Sequence, residues 1–332
     1  MPILMLLISV LIISILLCIL PHLVWLIWLL VAAIAHLPMP HYAPFGYTAL
    51  ALVVVAWLVM GYGYFLGRFK LQIFPTEYAN AAIPANFDGY KIVQISDLHL
   101  STFDDRPAEL QRFVDSINAQ KPDLICFTGD LVTMGVSEAE PYADILRQLR
   151  ATDGVVSVLG NHDFMIYAQL DEEKRLEEVE KLVNFERETL GWQLLRNQHI
   201  EISRNGEKMN IVGVDNSSCG NEGFRTIHNG DLHRATEGIR ADEFSVLLSH
   251  DPTHWRTEVV GQTAIPLTLS GHTHAGQVRL FGWSLSSVSF AESHGWYTAN
   301  GQSLYVNEGL GCTAPFRIAC PAEITVFTLR KR

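Results

Sequence analysis

Residues 91–99 read Lys91-Ile92-Val93-Gln94-Ile95-Ser96-Asp97-Leu98-His99, an apolar run that stops abruptly on a carboxylate and an imidazole. Such a run bounded by polar residues reads as a strand, and Asp-x-His at its end places two metal-type side chains where an open α/β sheet gathers its ligands. The pattern then repeats. A helix from about Ala108 sets Leu110, Phe113, Val114 and Ile117 on one face, and a strand over Leu124 to Thr128 closes on Gly129-Asp130. After a helix near Tyr142 to Leu149, a strand over Val155 to Leu159 closes on Gly160-Asn161-His162-Asp163. This βαβαβ order identifies the fold class as α/β.

The second half is richer in strands, at about Gln193 to Leu195, His199 to Ser203, Met209 to Val214, Phe244 to Leu248, Ile265 to Leu269, Gln277 to Phe281, Leu304 to Val306 and Glu323 to Leu329. Two of them end on further clusters, His250-Asp251 and Gly271-His272-Thr273-His274. The charged stretch Asp171 to Glu188 carries an apolar stripe of Leu176, Val179, Leu182 and Val183, so it reads as an amphipathic helix with a solvated outer face.

One such cluster would say little, because a lone histidine beside an apolar run is usually a core or surface residue. Five clusters at strand ends supply Asp97, His99, Asp130, Asn161, His250, His272 and His274 to a single cleft, a ligand set for two metal ions. The donors are carboxylate, imidazole and amide oxygen without thiolate. That set suits manganese, iron or zinc, while magnesium alone is less expected among so many imidazoles. Gly129, Gly160 and Gly271 each precede a ligand, as sharp turns beside a metal require. The remaining histidines read as structural or surface residues, with His254, close to His250, the strongest exception.

No charged side chain precedes Arg68. Apolar runs cover Ile3 to Leu20, Leu23 to Leu37 and about Thr48 to Leu66, each near the roughly 20 residues that cross a bilayer. Pro21-His22 allows either a hairpin or one kinked helix, and separate spans are expected, the middle one short. A basic leader and a cleavage site are lacking, so a retained anchor is expected rather than a signal peptide. Arg68 and Lys70 follow the last run, which places the following domain on the cytoplasmic side by the positive-inside rule. The formal net charge of −11 belongs wholly to residues from Arg68 onward and no basic stripe is present, so nucleic acid is not an expected partner. Five cysteines without a CxxC pair suggest neither a disulfide scaffold nor a zinc ribbon, and Cys312 and Cys320 read as small semi-buried residues rather than a bridge.

In this order and spacing the clusters resemble the calcineurin-like metallophosphoesterase family, whose signature is Asp-x-His, Gly-Asp, Gly-Asn-His-Asp, a later His and Gly-His-x-His. The resemblance runs from about Lys91 to the C-terminus. Asn307-Glu308-Gly309-Leu310-Gly311 and Arg317 to Glu323 further resemble the membrane-anchored branch, which includes UDP-2,3-diacylglucosamine hydrolase-like members. The resemblance implies a four-layer α-β-β-α sandwich preceded by transmembrane helices. Residues 1–67 would form an anchor of two or three helices, 68–89 a linker and first edge segment, and 90–332 the catalytic domain.

It also implies that Asp97, His99 and His274 hold one divalent ion, Asn161, His250 and His272 the other, and that Asp130 bridges them. A shared water, ionised near neutral pH, would attack phosphorus in line. His162 would act as general acid or transition-state stabiliser, with Asp163 fixing its orientation and tautomer. Asp251 would play a similar part or cap a helix. The implied substrate is a phosphoester or lipid-linked or nucleotide diphosphate, such as UDP-2,3-diacylglucosamine on the route to lipid A. Phe103, Phe164 and Tyr167 are the expected apolar contacts of an acyl or base pocket. The alternatives are hydrolysis of a cyclic nucleotide, phosphomonoester or phosphoprotein, and a non-catalytic membrane scaffold.

Overall fold

A backbone whose side chains are apolar and uncharged satisfies its own hydrogen bonds most readily as helix. In the computed structural model, which describes residues 2–219 and 227–332, the N-terminal residues form α1 (Pro2–Ile34) and α2 (Ala43–Phe65). Pro21 lies inside α1, so the expected division into separate spans at Pro21-His22 is corrected: one helix of 33 residues carries both runs. Proline removes one helical hydrogen bond there. Next to it, the His22 ring lies 2.5 Å from the Cys18 carbonyl and 2.7 Å from the Tyr42 hydroxyl. Both helices are long and apolar enough to cross a membrane.

The described residues divide into two units, one of residues up to Arg68 with Ala314–Ala319, the other of Phe69–Thr313 with Cys320–Arg332. Within the first, Trp57 Nε1 donates to Ser14 Oγ across α1 and α2 at 2.9 Å, and Arg317 N donates to the Gly63 carbonyl at 3.3 Å. Gly67 admits this segment, since a Cβ there would lie 2.1 Å from the Arg317 carbonyl oxygen.

The second unit contains β1 (Leu71–Asn80), β2 (Lys91–Ile95), β3 (Leu124–Phe127), β4 (Val155–Ser157), β5 (Gln193–Leu194), β6 (Gln198–Arg204) and β7 (Glu207–Gly213). There follow β8 (Ser245–Leu248), β9 (Leu267–Ser270), β10 (Arg279–Leu280), β11 (Trp283–Ser284), β12 (Gly295–Ala299), β13 (Gln302–Val306) and β14 (Ala322–Lys331). One six-stranded sheet runs β1-β14-β2-β3-β4-β5 and the other β12-β13-β9-β8-β7-β6, while β10 and β11 pair only with each other. In the first, β2 through β5 are parallel; in the second, β7, β8, β9 and β13 are. The expected linker and edge segment contains a full edge strand, β1, parallel to β14.

Alternation along β2 sorts the layers, as its period of two requires. Val93 and Ile95 join the outer core beneath helices α3 (Pro107–Asn118), α4 (Ala143–Leu146) and α5 (Glu172–Asn184), whereas Ile92 packs between the sheets with Cys126, Val156, Ile211, Val246, Leu269 and Phe327. A third cluster, including Val212, Leu247 and Trp255, covers the far face of the second sheet. The result is a four-layer α-β-β-α sandwich. Gln94 crosses it, donating to the Ser270 carbonyl at 2.8 Å and so tying the end of β9 to β2.

Two local expectations need correction, and one strand was not expected. Leu176 is exposed, leaving Val179, Leu182 and Val183 as the buried face of α5. The strand expected over Gln277 to Phe281 is instead a 3-10 turn, His274–Gln277, followed by the β10–β11 hairpin, because Gln277 and Phe281 both take a left-handed backbone. Strand β12, half exposed along its length, carries no apolar run that would reveal it. Cys312 and Cys320 are both buried and are not joined in a disulfide.

Phe327 stands edge-on to Trp296 and Tyr305, joining β14 to the second sheet. Phe327→Ala is expected to destabilise the second unit by about 3–5 kcal/mol, read as a lowered midpoint in chemical denaturation.

Candidate metal centre

Every metal-type cluster lies just past the carboxyl end of a central strand: Asp97 and His99 after β2, Asp130 after β3, Asn161 after β4, His250 after β8, and His272 and His274 after β9. The chain must turn sharply there to aim side chains back over the strand ends. Asp97, His99, Asp130, His272 and His274 all adopt positive φ, between 38° and 72°. Left-handed backbone is disfavoured for residues with a Cβ and collects at functional sites.

Space for the turns comes from glycines. A Cβ on Gly160 would lie 2.2 Å from Asp130 Oδ1, and one on Gly271 would lie 2.3 Å from Asp97 Oδ2. Gly311 plays the same part beneath Asp97-Leu98-His99, where a Cβ would meet the Leu98 carbonyl oxygen at 1.8 Å. The sequence marked Asn307 to Gly311 only by its resemblance, and this packing is what the segment does. Gly311 N also donates to the Asp97 carbonyl at 2.7 Å.

The donor atoms converge in two adjoining nests. In the first, His274 Nε2 lies 3.2 Å from both Asp97 Oδ1 and His99 Nε2. In the second, Asn161 Oδ1 lies 2.8 Å from His272 Nδ1 and 3.1 Å from His250 Nε2. Asp130 Oδ2 belongs to both, 3.5 Å from His99 Nε2 and 3.2 Å from His250 Nε2. Donors around one ion with bonds of about 2.0–2.2 Å are spaced roughly 3 Å apart, so these separations fit divalent metal ions.

Outer partners set the imidazole tautomers. His250 Nδ1 lies 2.7 Å from the Thr128 carbonyl, which can only accept, so Nδ1 carries a proton and Nε2 is the nitrogen turned to the nest, free to bind a metal once the ring is neutral. His272 presents Nδ1, with Nε2 3.7 Å from Asp251 Oδ2. Asp251 caps its helix, accepting from Thr253 N at 2.9 Å, and its Oδ2 faces His272 rather than the adjacent His250.

Charge follows the same design. Burial favours neutral carboxyls, yet His274 and His250 hold Asp97 below its ordinary range, and His250 and His162 do so for Asp130. Burial also opposes a cation on His250, but Asp130 and Asp97 outweigh it and lift that ring to about 10. Burial keeps His99 and His272 neutral. The ionised carboxylates and the neutral His99 and His272 are in the states that metal binding needs, whereas His250 would have to give up its proton to an incoming ion.

Asp163 does not fix the His162 ring as expected. Its Oδ2 accepts from Asp130 N at 2.7 Å and Gly160 N at 2.9 Å, and its Oδ1 from Leu131 N at 2.9 Å and Val132 N at 3.2 Å. It therefore clamps the β3 and β4 loops together. His162 is oriented instead by the Thr133 carbonyl, 3.0 Å from Nδ1, and by Tyr167, whose ring centroid is 4.4 Å from its own. Tyr167 lies at the site, its hydroxyl accepting from Asn161 Nδ2 at 3.3 Å. Phe103 and Phe164 do not line it: both are buried in the outer core, Phe103 edge-on to Phe113. His254 is also apart from the nests, buried between Ser249 Oγ and Glu258.

A model of the family described as calcineurin-like phosphoesterase matches residues 90–276. The uncharacterized metallophosphoesterase YkuE of Bacillus subtilis (strain 168) is 34% identical over 281 residues, covering 81% of this chain and 90% of that protein. A transmembrane protein with metallophosphoesterase domain from Danio rerio is 28% identical over 295 residues, covering 86% of this chain and 63% of its own length. Among solved structures, TT1561 of Thermus thermophilus is 16% identical with a TM-score of 0.41, covering 67% of this chain and 90% of that one.

Two outcomes are expected behind the ligands. Asp163→Ala should weaken metal binding by roughly 10–100-fold, measured by elemental analysis and competition with a chelator; full metal retention would contradict the clamp. Glu186 is buried, accepts from Ser157 Oγ at 2.5 Å, and is pushed up to about 8 by burial, reinforced by Asp163. A carboxyl raised in the folded state contributes fully below its unfolded value of 4.5 and loses that contribution as pH rises toward 8. Glu186→Gln, which cannot ionise, should therefore flatten the fall of Tm over that window and exceed the parent protein at its upper end. Parallel Tm profiles would show that Glu186 does not titrate in this way.

Proposed function

The chain belongs to the calcineurin-like phosphoesterase family, and from that membership we propose that it is a membrane-associated, dinuclear metal-dependent phosphoesterase. The observation that carries this reading is the sharing of Asp130 Oδ2 by two nests of three further donors each, within one cleft. Asp97, His99 and His274 would hold one divalent ion and Asn161, His250 and His272 the other. Bound there, the ions supply electrophilic stabilisation of phosphoryl oxygens and acidify water for attack on phosphorus.

His162 is the residue we assign to the leaving group. Its backbone N–H donates to Asp130 Oδ1 at 2.8 Å, which keeps the ring beside the shared carboxylate, and the contact of Nδ1 with the Thr133 carbonyl leaves Nε2 for the substrate. As an imidazolium it would pass a proton to the departing oxygen or stabilise charge on the phosphoryl group. Asp163 would act through the loops it clamps, as a positioning residue.

For the substrate we propose a lipid-linked or nucleotide diphosphate, such as UDP-2,3-diacylglucosamine, met at the cytoplasmic face. Two apolar helices of spanning length support a membrane setting, and Arg68 and Lys70 just after the second support that side. The second reading, a phosphodiesterase or phosphatase on another ester, is favoured by the generality of the donor set, which reads phosphate rather than what is attached to it.

The test is chelator-sensitive release of UMP from UDP-2,3-diacylglucosamine by the full-length protein in detergent, beside an aryl phosphodiester, with manganese, iron and zinc supplied separately. UMP release well above the generic rate is expected; hydrolysis of the aryl ester alone would support the second reading. Asp130→Ala should lose both metal and turnover with its circular dichroism unchanged. His162→Ala should keep its metal and lose roughly 10²–10⁴ in rate. Turnover by folded Asp130→Ala would refute the dinuclear assignment.

A further inference from the structure

The β10–β11 hairpin pairs with neither large sheet, and its side chains are apolar where solvent should select polar ones. Leu280 and Trp283 stand opposite each other in register, both about half exposed, on one face of the ribbon. The turn between them is Phe281-Gly282, with φ of 52° and 86°. Turns of this mirror-image kind favour Asn, Asp or Gly at both positions. Phenylalanine there is strained, and its ring is fully exposed. In the 3-10 turn that follows, Leu285–Val288, side chains three apart eclipse, so exposed Leu285 and Val288 extend the patch along one edge.

We propose that this hairpin docks into the surface of a lipid bilayer. Residues 277–290 contain no acidic side chain in a chain of net charge −11, and their one cation, Arg279, is paired with Glu308. Trp and Phe at an aliphatic tip are the side chains that settle at the level of lipid headgroups. The bilayer is also the apolar phase this domain is bound to meet. The second membrane-length helix ends at Phe65 and β1 begins at Leu71, so residues 66–70, at most about 18 Å of extended chain, tether the domain to the membrane surface.

Docking at this point has a consequence for the metal cleft. The hairpin springs from the turn that begins with His274, and its far end returns to Phe290, whose ring stands edge-on to His272 at 5.3 Å between centroids. Insertion of the tip would hold two metal ligands next to the headgroup layer, suiting a phosphoester carried by an amphiphile in the bilayer. This second step rests on the hydrolase reading; the docking itself does not.

An environment-sensitive fluorophore attached through Phe281→Cys, in the full-length protein with Cys18→Ala and Cys219→Ala, reconstituted into phosphatidylcholine nanodiscs, tests the docking. Blue-shifted emission quenched by nitroxide-labelled phosphatidylcholine is expected, whereas the same probe through Asn205→Cys, on the exposed turn between β6 and β7, should report water. Water-like emission at position 281, or a blue shift that lipid nitroxide does not quench, as when a second copy covers the tip, would overturn the proposal. A second arm reads the consequence. Phe281→Ser with Trp283→Ser should leave turnover of a soluble aryl phosphodiester unchanged and lower turnover of a vesicle-borne diphosphate at least about fivefold. Equal turnover on both substrates would overturn the link to substrate access. Absence of hydrolysis by the parent protein would remove the hydrolase reading while the fluorescence arm still decided the docking.

Discussion

Asp97 and Asp130 are ionised carboxylates almost wholly removed from water, and the second unit is organised around keeping them so. Charge in that position is costly unless opposite charge and hydrogen-bond donors surround it. Two parallel sheet cores provide the surroundings by ending on the same cleft, one contributing Asp97, His99, Asp130 and Asn161, the other His250, His272 and His274. Gln94 fixes the two sheets at that level, glycines at 160 and 271 let neighbouring loops approach the carboxylates more closely than any side chain would permit, and Gly311 does the same for the main chain at Leu98.

Rigidity at this centre comes from groups outside the donor set. Asp163 gathers four backbone N–H groups from two loops, and the Thr128 and Thr133 carbonyls decide which ring nitrogen His250 and His162 turn inward. Strained left-handed backbone at five ligands persists because these bonds over-determine it. Preorganisation is thus spread over two shells of contacts, and the outer one is mostly main chain.

Elsewhere the chain exposes large apolar side chains. Two helices of membrane-spanning length precede the domain. Within the domain itself, the β10–β11 hairpin exposes aromatic and aliphatic side chains a few residues from two metal donors. The two helices and the hairpin share an exposed apolar chemistry although they are far apart in sequence.

Strand and helix periodicity over residues 91–159, the position of every candidate metal donor at a strand end and the uncharged N-terminal segment were determined by the sequence itself, because each is a local pattern: apolar spacing, a glycine before a polar cluster, the absence of charge. What rests on who stands beside whom was decided only in the tertiary structure. Asp163 looked like a partner for the adjacent His162 and instead binds loops from two strands. Phe103 and Phe164 flank ligands in sequence but turn into the core, while Tyr167 turns toward the site. Pro21 suggested a break that its neighbours bridge, and β12 is held by pairing with β13 rather than by its own composition. The physical reason is common to all four: a side chain's direction and a backbone's hydrogen-bond partners are set by long-range packing, which adjacency in the sequence does not encode.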